Sequence, residues 1–323
     1  MENLAPGSRP LPLDSDNIVL PFRVDALDTR GRSARLGRVL DEILARHAYP
    51  APVERLLSEA IVLTALMGSS LKFEGRFQLQ TKSDGAVSML VVDFSSPSDL
   101  RAYAGFDAAK LADFGADASP AQLLGTGILG FTIEQGALNT RYQGLVALEG
   151  QGLEAAAMQY FRQSEQIPSV IRLAVAEERF AGQGGGHRHW RAGGILAQFL
   201  PTAPERMRQP DLDPGDAPAG TPRHAVPEDD AWVEARSLVE TTEDIELVDP
   251  TLSLDRLLYR LFNERGVAVS DPLGLVDQCR CSESRIREMM AQFKAEDLTD
   301  MRETDGLIAI TCEFCARKYR LAL

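Results

Sequence analysis

Hydrophobic positions near the start of the chain first repeat at helical spacing and then switch to a period of two. Leu36, Val39, Leu40, Ile43 and Leu44 share one face of a helix over 34–47, which Tyr49-Pro50 ends. Pro52 opens a second helix with Val53, Leu56, Leu57, Ala60 and Ile61 on one face. Its later part, to about Leu71, is apolar nearly all round, the pattern of a helix covered on every side. Alternation then sets in at Phe77, Leu79, Thr81 and at Val87, Met89, Val91, with Ser83-Asp84-Gly85 as the hairpin turn between them. Further strands are expected over Leu100 to Ala104, Ile128 to Glu134 and Leu138 to Leu148, the last two joined at Gln135-Gly136. Short links between strands predict an antiparallel sheet with helices beside it, an α+β class.

The pattern weakens towards the middle of the chain. Residues 153–163 read as helical, Ser169 to Glu177 and Gly194 to Leu200 as extended, and Gly182 to Gly186 as a flexible connection. Seven prolines between Pro201 and Pro227 mark a linker or surface insertion. Residues 228–249 carry nine acidic side chains against one basic, Arg236, with Trp232, Val and Leu interleaved as in amphipathic helices. Leu254, Leu257, Leu258, Leu261 and Phe262 continue that spacing. The expected organisation is a mainly antiparallel α/β core domain (1–200), the Pro-rich linker or insertion (201–227), a marginally stable acidic helical linker (228–270) and a small carboxy-terminal zinc module (271–323).

Composition changes the picture only by exclusion. The longest apolar run, Ala60 to Met67, is far too short for a membrane span, which needs roughly 20 residues. Met1 to Leu13 lacks the basic-then-apolar order of a secretory signal, so a cytoplasmic location is expected. A net charge of −13 argues against a protein that tracks nucleic-acid phosphates.

The chemistry lies in four cysteines, all near the carboxy terminus: Cys279-x-Cys281 and Cys312-x-x-Cys315. Four soft ligands in two close pairs fit a closed tetrahedral site for one zinc ion. A Cys-x-x-Cys turn points both sulfurs to one side, whereas Cys-x-Cys does so only outside a regular strand. Ile286, Met289, Met290 and Phe293 mark a helix between the pairs, Asp305-Gly306 a turn, and Leu307 to Thr311 a strand, with Tyr319, Leu321 and Leu323 alternating behind. So small a core is expected to owe its fold to the metal. A static zinc ribbon is one reading. The other is a redox switch, because zinc-bound thiolates stay open to oxidants and each pair is close enough to close its own disulfide.

Longer stretches carry a resemblance. Leu71-Lys72-Phe73, Gly125-Thr126-Gly127, Tyr142-Gln143-Gly144, the run from Tyr160 to Pro168, Gly193-Gly194, Leu200-Pro201, Cys279-Arg280-Cys281-Ser282 and Cys312-Glu313-Phe314-Cys315 together resemble the heat-shock protein 33 family. The resemblance implies an ATP-independent holdase chaperone of the cytoplasm, inactive while reduced and zinc-bound. Oxidation would then pair Cys279 with Cys281 and Cys312 with Cys315, release zinc, unfold the module and loosen the linker. The exposed surface would hold unfolding client proteins, commonly as a homodimer, with no catalytic residues, no nucleic acid and no membrane. A thiol-disulfide oxidoreductase using Cys312 and Cys315 is the alternative from another class.

Three other signals are weaker. Gly125-x-Gly127-x-x-Gly130 spells a dinucleotide fingerprint but precedes a strand, so strand-entry turns are expected there. His187 and His189 form a possible metal pair but are expected to face solvent. Ser164, Glu165 and Gln166 are expected to cap a helix or line an interface.

Overall fold

The second helix predicted from sequence is the centre of the fold. The computed structural model describes residues 2–3, 16–71, 74–115, 118–135, 140–180, 187–202 and 228–322. Helix α2 (Ala51–Gly68) buries nearly its whole circumference because it runs between two sheets, touching strands of both. Its two buried hydroxyls are satisfied within the helix, Ser58 and Thr64 donating to the Glu54 and Ala60 carbonyls at 2.8 and 2.7 Å, while the Glu54 carboxylate accepts from Trp190 Nε1 on the neighbouring sheet at 3.0 Å. The preceding helix, α1 (Arg38–Leu44), starts later than its periodicity predicts. Gly37 breaks the chain there, and Asn17 Oδ1 accepts from the Gly37 and Val39 amides at 3.1 and 3.0 Å. Ala34 and Leu36 consequently belong to a strand.

One sheet has the order β1–β11–β2–β3–β10–β9, with β12 also on β2. Its strands are β1 (Glu2–Asn3), β2 (Ile18–Val24), β3 (Thr29–Leu36), β9 (Ser169–Phe180), β10 (His187–Phe199), β11 (Ala268–Val269) and β12 (Leu273–Gly274). The other has the order β13–β6–β5–β4–β7–β8. It is built from β4 (Gly75–Ser83), β5 (Val87–Ser95), β6 (Asp99–Phe106), β7 (Thr126–Gln135), β8 (Thr140–Glu149) and β13 (Val276–Asp277). Among the described residues every strand pairing is antiparallel except β13 on β6, so the mixed α+β class predicted from sequence stands. The short helices α3 (Ala108–Leu111) and α4 (Pro120–Leu124) lie between β6 and β7 in the chain, and α5 (Leu153–Tyr160) packs on α2, β8 and β9. The glycine run 182–186, nearly all of the Pro-rich stretch 201–227 and Leu323 lie outside the described residues.

The acidic segment forms three helices, α6 (Asp230–Glu240), α7 (Asp244–Val248) and α8 (Leu254–Phe262). They cover the face of the first sheet that α2 leaves open. Trp232, Val239, Leu247, Leu257 and Phe262 pack on Leu20, Phe22, Val24, Ile195 and Phe199 in a second hydrophobic core. Ring centroids lie 5.8 Å apart for Phe22 and Phe262 and 6.1 Å for Phe199 and Trp232. The acidic side chains remain largely outside, and Arg172 ties Asp244 (2.8 Å) and the Glu240 carbonyl (3.2 Å) to β9.

The largest polar side chain buried beneath these helices is an arginine. Arg35 on β3 donates from Nε, Nη1 and Nη2 to the carbonyls of Leu247, Leu252 and Glu246 at 3.0, 2.5 and 3.1 Å. Gly193, its register partner on β10, leaves the room the clasp needs, since a Cβ there would overlap the Leu247 carbonyl oxygen. Gly193→Ala is therefore expected to lift α7 and destabilise the docked helices by about 1–3 kcal/mol. Faster amide exchange around Leu247, with exchange in α2 unchanged, is the expected result.

Candidate metal centre

The cysteine module hangs from the edge of the second sheet. Strand β13 pairs in parallel with β6, Val276 opposite Asp99 and Asp277 opposite Leu100, and the Gln278 amide donates to the Leu100 carbonyl at 2.9 Å. The regular backbone stops there. Residues 278–282 belong to no helix or strand, the condition the Cys-x-Cys spacing requires, and the Arg280 side chain reaches back to Ser95 Oγ at 3.3 Å.

Ser282 then caps helix α9 (Glu283–Met290) by accepting from the Arg285 amide at 3.3 Å. After α10 (Ala295–Asp300) the chain returns as the hairpin β14 (Ile308–Thr311) and β15 (Lys318–Leu321). Cys312 and Cys315 sit in its turn. The Cys312 amide donates to Arg317 O at 2.9 Å and the Ala316 amide to Cys312 O at 2.8 Å, with Ala316 at φ 54°. The core behind the cysteines is as small as the sequence suggests: Ile286, Met290, Ile308 and Leu321, with Leu298, Ile310 and Tyr319 beside them. Met289 and Phe293, which share the helical pattern, face outward.

The two halves bring all four sulfurs within 4.8 Å of one another. A tetrahedral zinc–thiolate site with bonds of about 2.3 Å has sulfur–sulfur edges of about 3.8 Å. Cys279 and Cys312 lie 3.7 Å apart and Cys281 and Cys315 3.4 Å, so the donor set fits such an ion in charge, softness and size. Among the described residues this is the one group of three or more Cys, His, Asp or Glu side chains placed to hold a metal.

The sulfurs are not equivalent. Burial pushes the Cys315 thiol up, to about 12, and its contacts with Cys281 and Cys279 add to the effect. Burial acts in the same sense on Cys281, but the Tyr319 hydroxyl, donating to its sulfur at 3.1 Å, and the other three cysteines outweigh it and bring that thiol to about 7. Protons thus compete with a metal at these sulfurs, and metal affinity falls as pH falls.

Sequence reasoning found the cysteines but not what they rest on. The Phe314 ring, between the second pair, lies 4.0 Å from the Arg101 guanidinium on β6. Arg101 holds the buried Asp93 carboxylate at 2.5 and 2.8 Å, and Gln78 donates to the same group at 2.8 Å. Glu313 meets the Tyr103 hydroxyl next along the sheet. On the other side Arg46, just past α1, grips Asp277 through two bonds, one of 2.8 Å. The turn carrying the second cysteine pair is thereby seated on the core domain.

The remaining candidate motifs do not join this site. Gly125, at φ 64°, turns the chain into β7, and Gly127 lies too close to the Lys82 carbonyl for any side chain, so these glycines serve strand pairing. His189 Nδ1 lies 2.7 Å from Asp41 Oδ2, while the His187 side chain lies outside the described residues. Glu165 accepts from the Tyr160 hydroxyl at 2.5 Å, where a wide turn (Phe161–Glu165) ends α5 and Gln166 adopts φ 56°. Ser164 shows no capping bond among the hydrogen bonds of the described residues. No helix among the described residues is long and apolar enough to cross a membrane.

Comparison with known proteins agrees with this architecture. The chain is 43% identical over 324 residues to the 33 kDa chaperonin of Caulobacter vibrioides, covering 99% of this chain and 98% of that one. It is 34% identical to the 33 kDa chaperonin of Pseudomonas aeruginosa over 92% of this chain and 89% of the other. The crystal structure of the 33 kDa chaperonin (heat shock protein 33 homolog) of Thermotoga maritima matches the fold with a TM-score of 0.69 at 19% identity, over 94% of each chain. The family described as Hsp33 protein matches residues 17–322, and with the four-sulfur cluster in place the chain belongs to this chaperone family.

Proposed function

We propose that the protein is a redox-regulated, ATP-independent holdase of the cytoplasm. In this reading it is silent while reduced and loaded with one zinc ion, and it binds unfolding client proteins once its cysteines are oxidised. The observation that carries the reading is mechanical. The sulfur cluster lies at the end of a segment whose three helices cover, as a lid, an apolar face of the first sheet.

Zinc, when bound, supplies most of the folding free energy of the module, on the order of 10–16 kcal/mol, and keeps its ligands as thiolates. The chain's own residues transmit the loss of that order. Disulfides between Cys279 and Cys281 and between Cys312 and Cys315 remove the four thiolates that pin α9 to the β14–β15 hairpin. Four buried side chains do not hold so small a module alone. Phe314 and Glu313 then leave Arg101 and Tyr103, and strain falls on β13 and the Arg46–Asp277 pair. Upstream of β13 lie only the two-residue strands β12 and β11 before α8 is reached. Release of α6 to α8 exposes Leu20, Phe22, Val24, Ile195 and Phe199 on the sheet, and their partners on the helices. Both surfaces suit extended apolar client segments, or a second copy of the chain as a homodimer.

The oxidoreductase reading lacks support in the local geometry. Cys312 and Cys315 sit in a hairpin turn, without the helix amino terminus that lowers a thiol pKa in thioredoxin-like motifs. Zinc-loaded protein treated with hydrogen peroxide at raised temperature is expected to lose zinc and gain suppression of client aggregation together, without reducing insulin. Unchanged suppression after full zinc release rules out the switch, and catalytic insulin reduction favours the oxidoreductase.

A further inference from the structure

A cavity of about 270 Å³ opens beside the sulfur cluster, walled by Cys279, Cys281, Cys315, Arg46, Asp277 and Arg317. Its two guanidinium groups differ. Arg46 is engaged by Asp277, whose side chain is 2% exposed, so their charges cancel locally. Arg317 is exposed and lines the same cavity as Cys279, Cys281 and Cys315. Of the two cations that line the cavity, it is the one that no carboxylate pairs with among the described residues.

We propose that this cavity binds the oxidant, a small hydroperoxide, and that Arg317 positions it against the Cys281 and Cys315 sulfurs; the proposal rests on the redox reading above. A thiolate sulfur attacks one peroxide oxygen, an S–O bond forms as the O–O bond breaks, and the sulfur supplies both electrons. The other oxygen departs as hydroxide. A second thiolate then attacks the sulfenic sulfur, forming the S–S bond and expelling a second hydroxide. In total, two thiolates, one hydrogen peroxide and two protons from solvent give one disulfide and two waters. Negative charge grows on the departing oxygen in the first step, and a cation held at the cavity wall lowers that barrier. The size of the cavity admits hydrogen peroxide with room for ordered water.

The test measures the initial rate of thiol oxidation by hydrogen peroxide in zinc-loaded protein, read from intact mass after acid quenching. Arg317→Ala is expected to slow it about three- to fivefold, the scale of one partly solvated charge contact, and Arg317→Lys to recover most of the loss. Arg320→Ala is the control, because Arg320 lies in the same module but pairs with Glu303 at 3.2 Å and with Asp305, outside the cavity. It is expected to react at the parent rate. Zinc affinity and melting temperature are expected to match across the set, and in urea parent and Arg317→Ala should oxidise alike. An unchanged rate in Arg317→Ala, an equal slowing in Arg320→Ala, or a difference that persists in urea overturns the proposal. If oxidation depends on Arg317 but confers no suppression of aggregation, the oxidant site stands and the chaperone switch falls.

Discussion

Arg35→Met is expected to suppress client aggregation while still reduced and fully zinc-loaded. In the parent, one buried guanidinium satisfies three carbonyls of the α7 segment, at 2.5 to 3.1 Å. Methionine fills much of the same volume but donates nothing. The carbonyls of Glu246, Leu247 and Leu252 would then stay buried without partners or turn out to water, and the second outcome lifts the lid. Hydrogen bonds to a charged group contribute roughly 1.5–3 kcal/mol each, but three from one side chain act as a unit, so a loss of about 3–5 kcal/mol is expected. Burial already lowers the Arg35 pKa, opposed by Asp16 and Asp249, which means the group is held charged at a desolvation cost. Arg35→Lys reaches at most one of the carbonyls with good geometry and is expected to fall between parent and methionine. Two measurements decide: the zinc content of reduced protein, expected unchanged, and light scattering of a thermally unfolding client. A reduced, zinc-loaded Arg35→Met protein as silent as the parent would refute the lid.

Arg35 also marks where the sequence stops being readable. The strand Thr29–Leu36 spells Thr-Arg-Gly-Arg-Ser-Ala-Arg-Leu, without the apolar alternation that flags β4 or β5. Its last three residues fall inside the helix predicted over 34–47, and only α7, more than 200 residues on, makes Arg35 a buried clasp. The same remoteness hides β11, β12 and β13, two residues each, too short to show a period and paired with strands far back in the chain. By contrast α2 and β4 to β8 were legible, since burial on all sides and burial on one side leave different periods in the chain. The centre itself was legible through cysteine spacing, a signal set by ligand geometry alone. Its seat on the sheet, Phe314 over Arg101 and Arg101 on Asp93, was not. Aromatic and charged residues on a sheet's outer face look alike whether solvent or another module covers them.

Cys312→Ser approaches the same active state from the other end, and comparing the two variants tests the link between them. A serine hydroxyl stays protonated at neutral pH and is a poor zinc ligand, so three thiolates remain and the fourth position opens to water. The loss of affinity should exceed the roughly 10- to 100-fold that follows removal of a hydrogen-bond partner behind a ligand, because a ligand itself has gone. With only Ile286, Met290, Ile308 and Leu321 buried behind the cluster, a module that loses this share of its metal binding energy is expected to unfold at modest zinc concentrations. Phe314 then leaves Arg101, and the variant should suppress aggregation in part without any oxidant. Competition with a chromophoric chelator reads the first effect, amide exchange in β14 and β15 the second, and client scattering the third. Reduced Arg35→Met should show only the third, with zinc retained. Reduced Cys312→Ser should show all three, more strongly at low pH, where protons displace zinc from the remaining thiolates. If Cys312→Ser loses zinc and unfolds its hairpin yet stays silent, the lid does not answer to the metal, and Arg35 alone controls it.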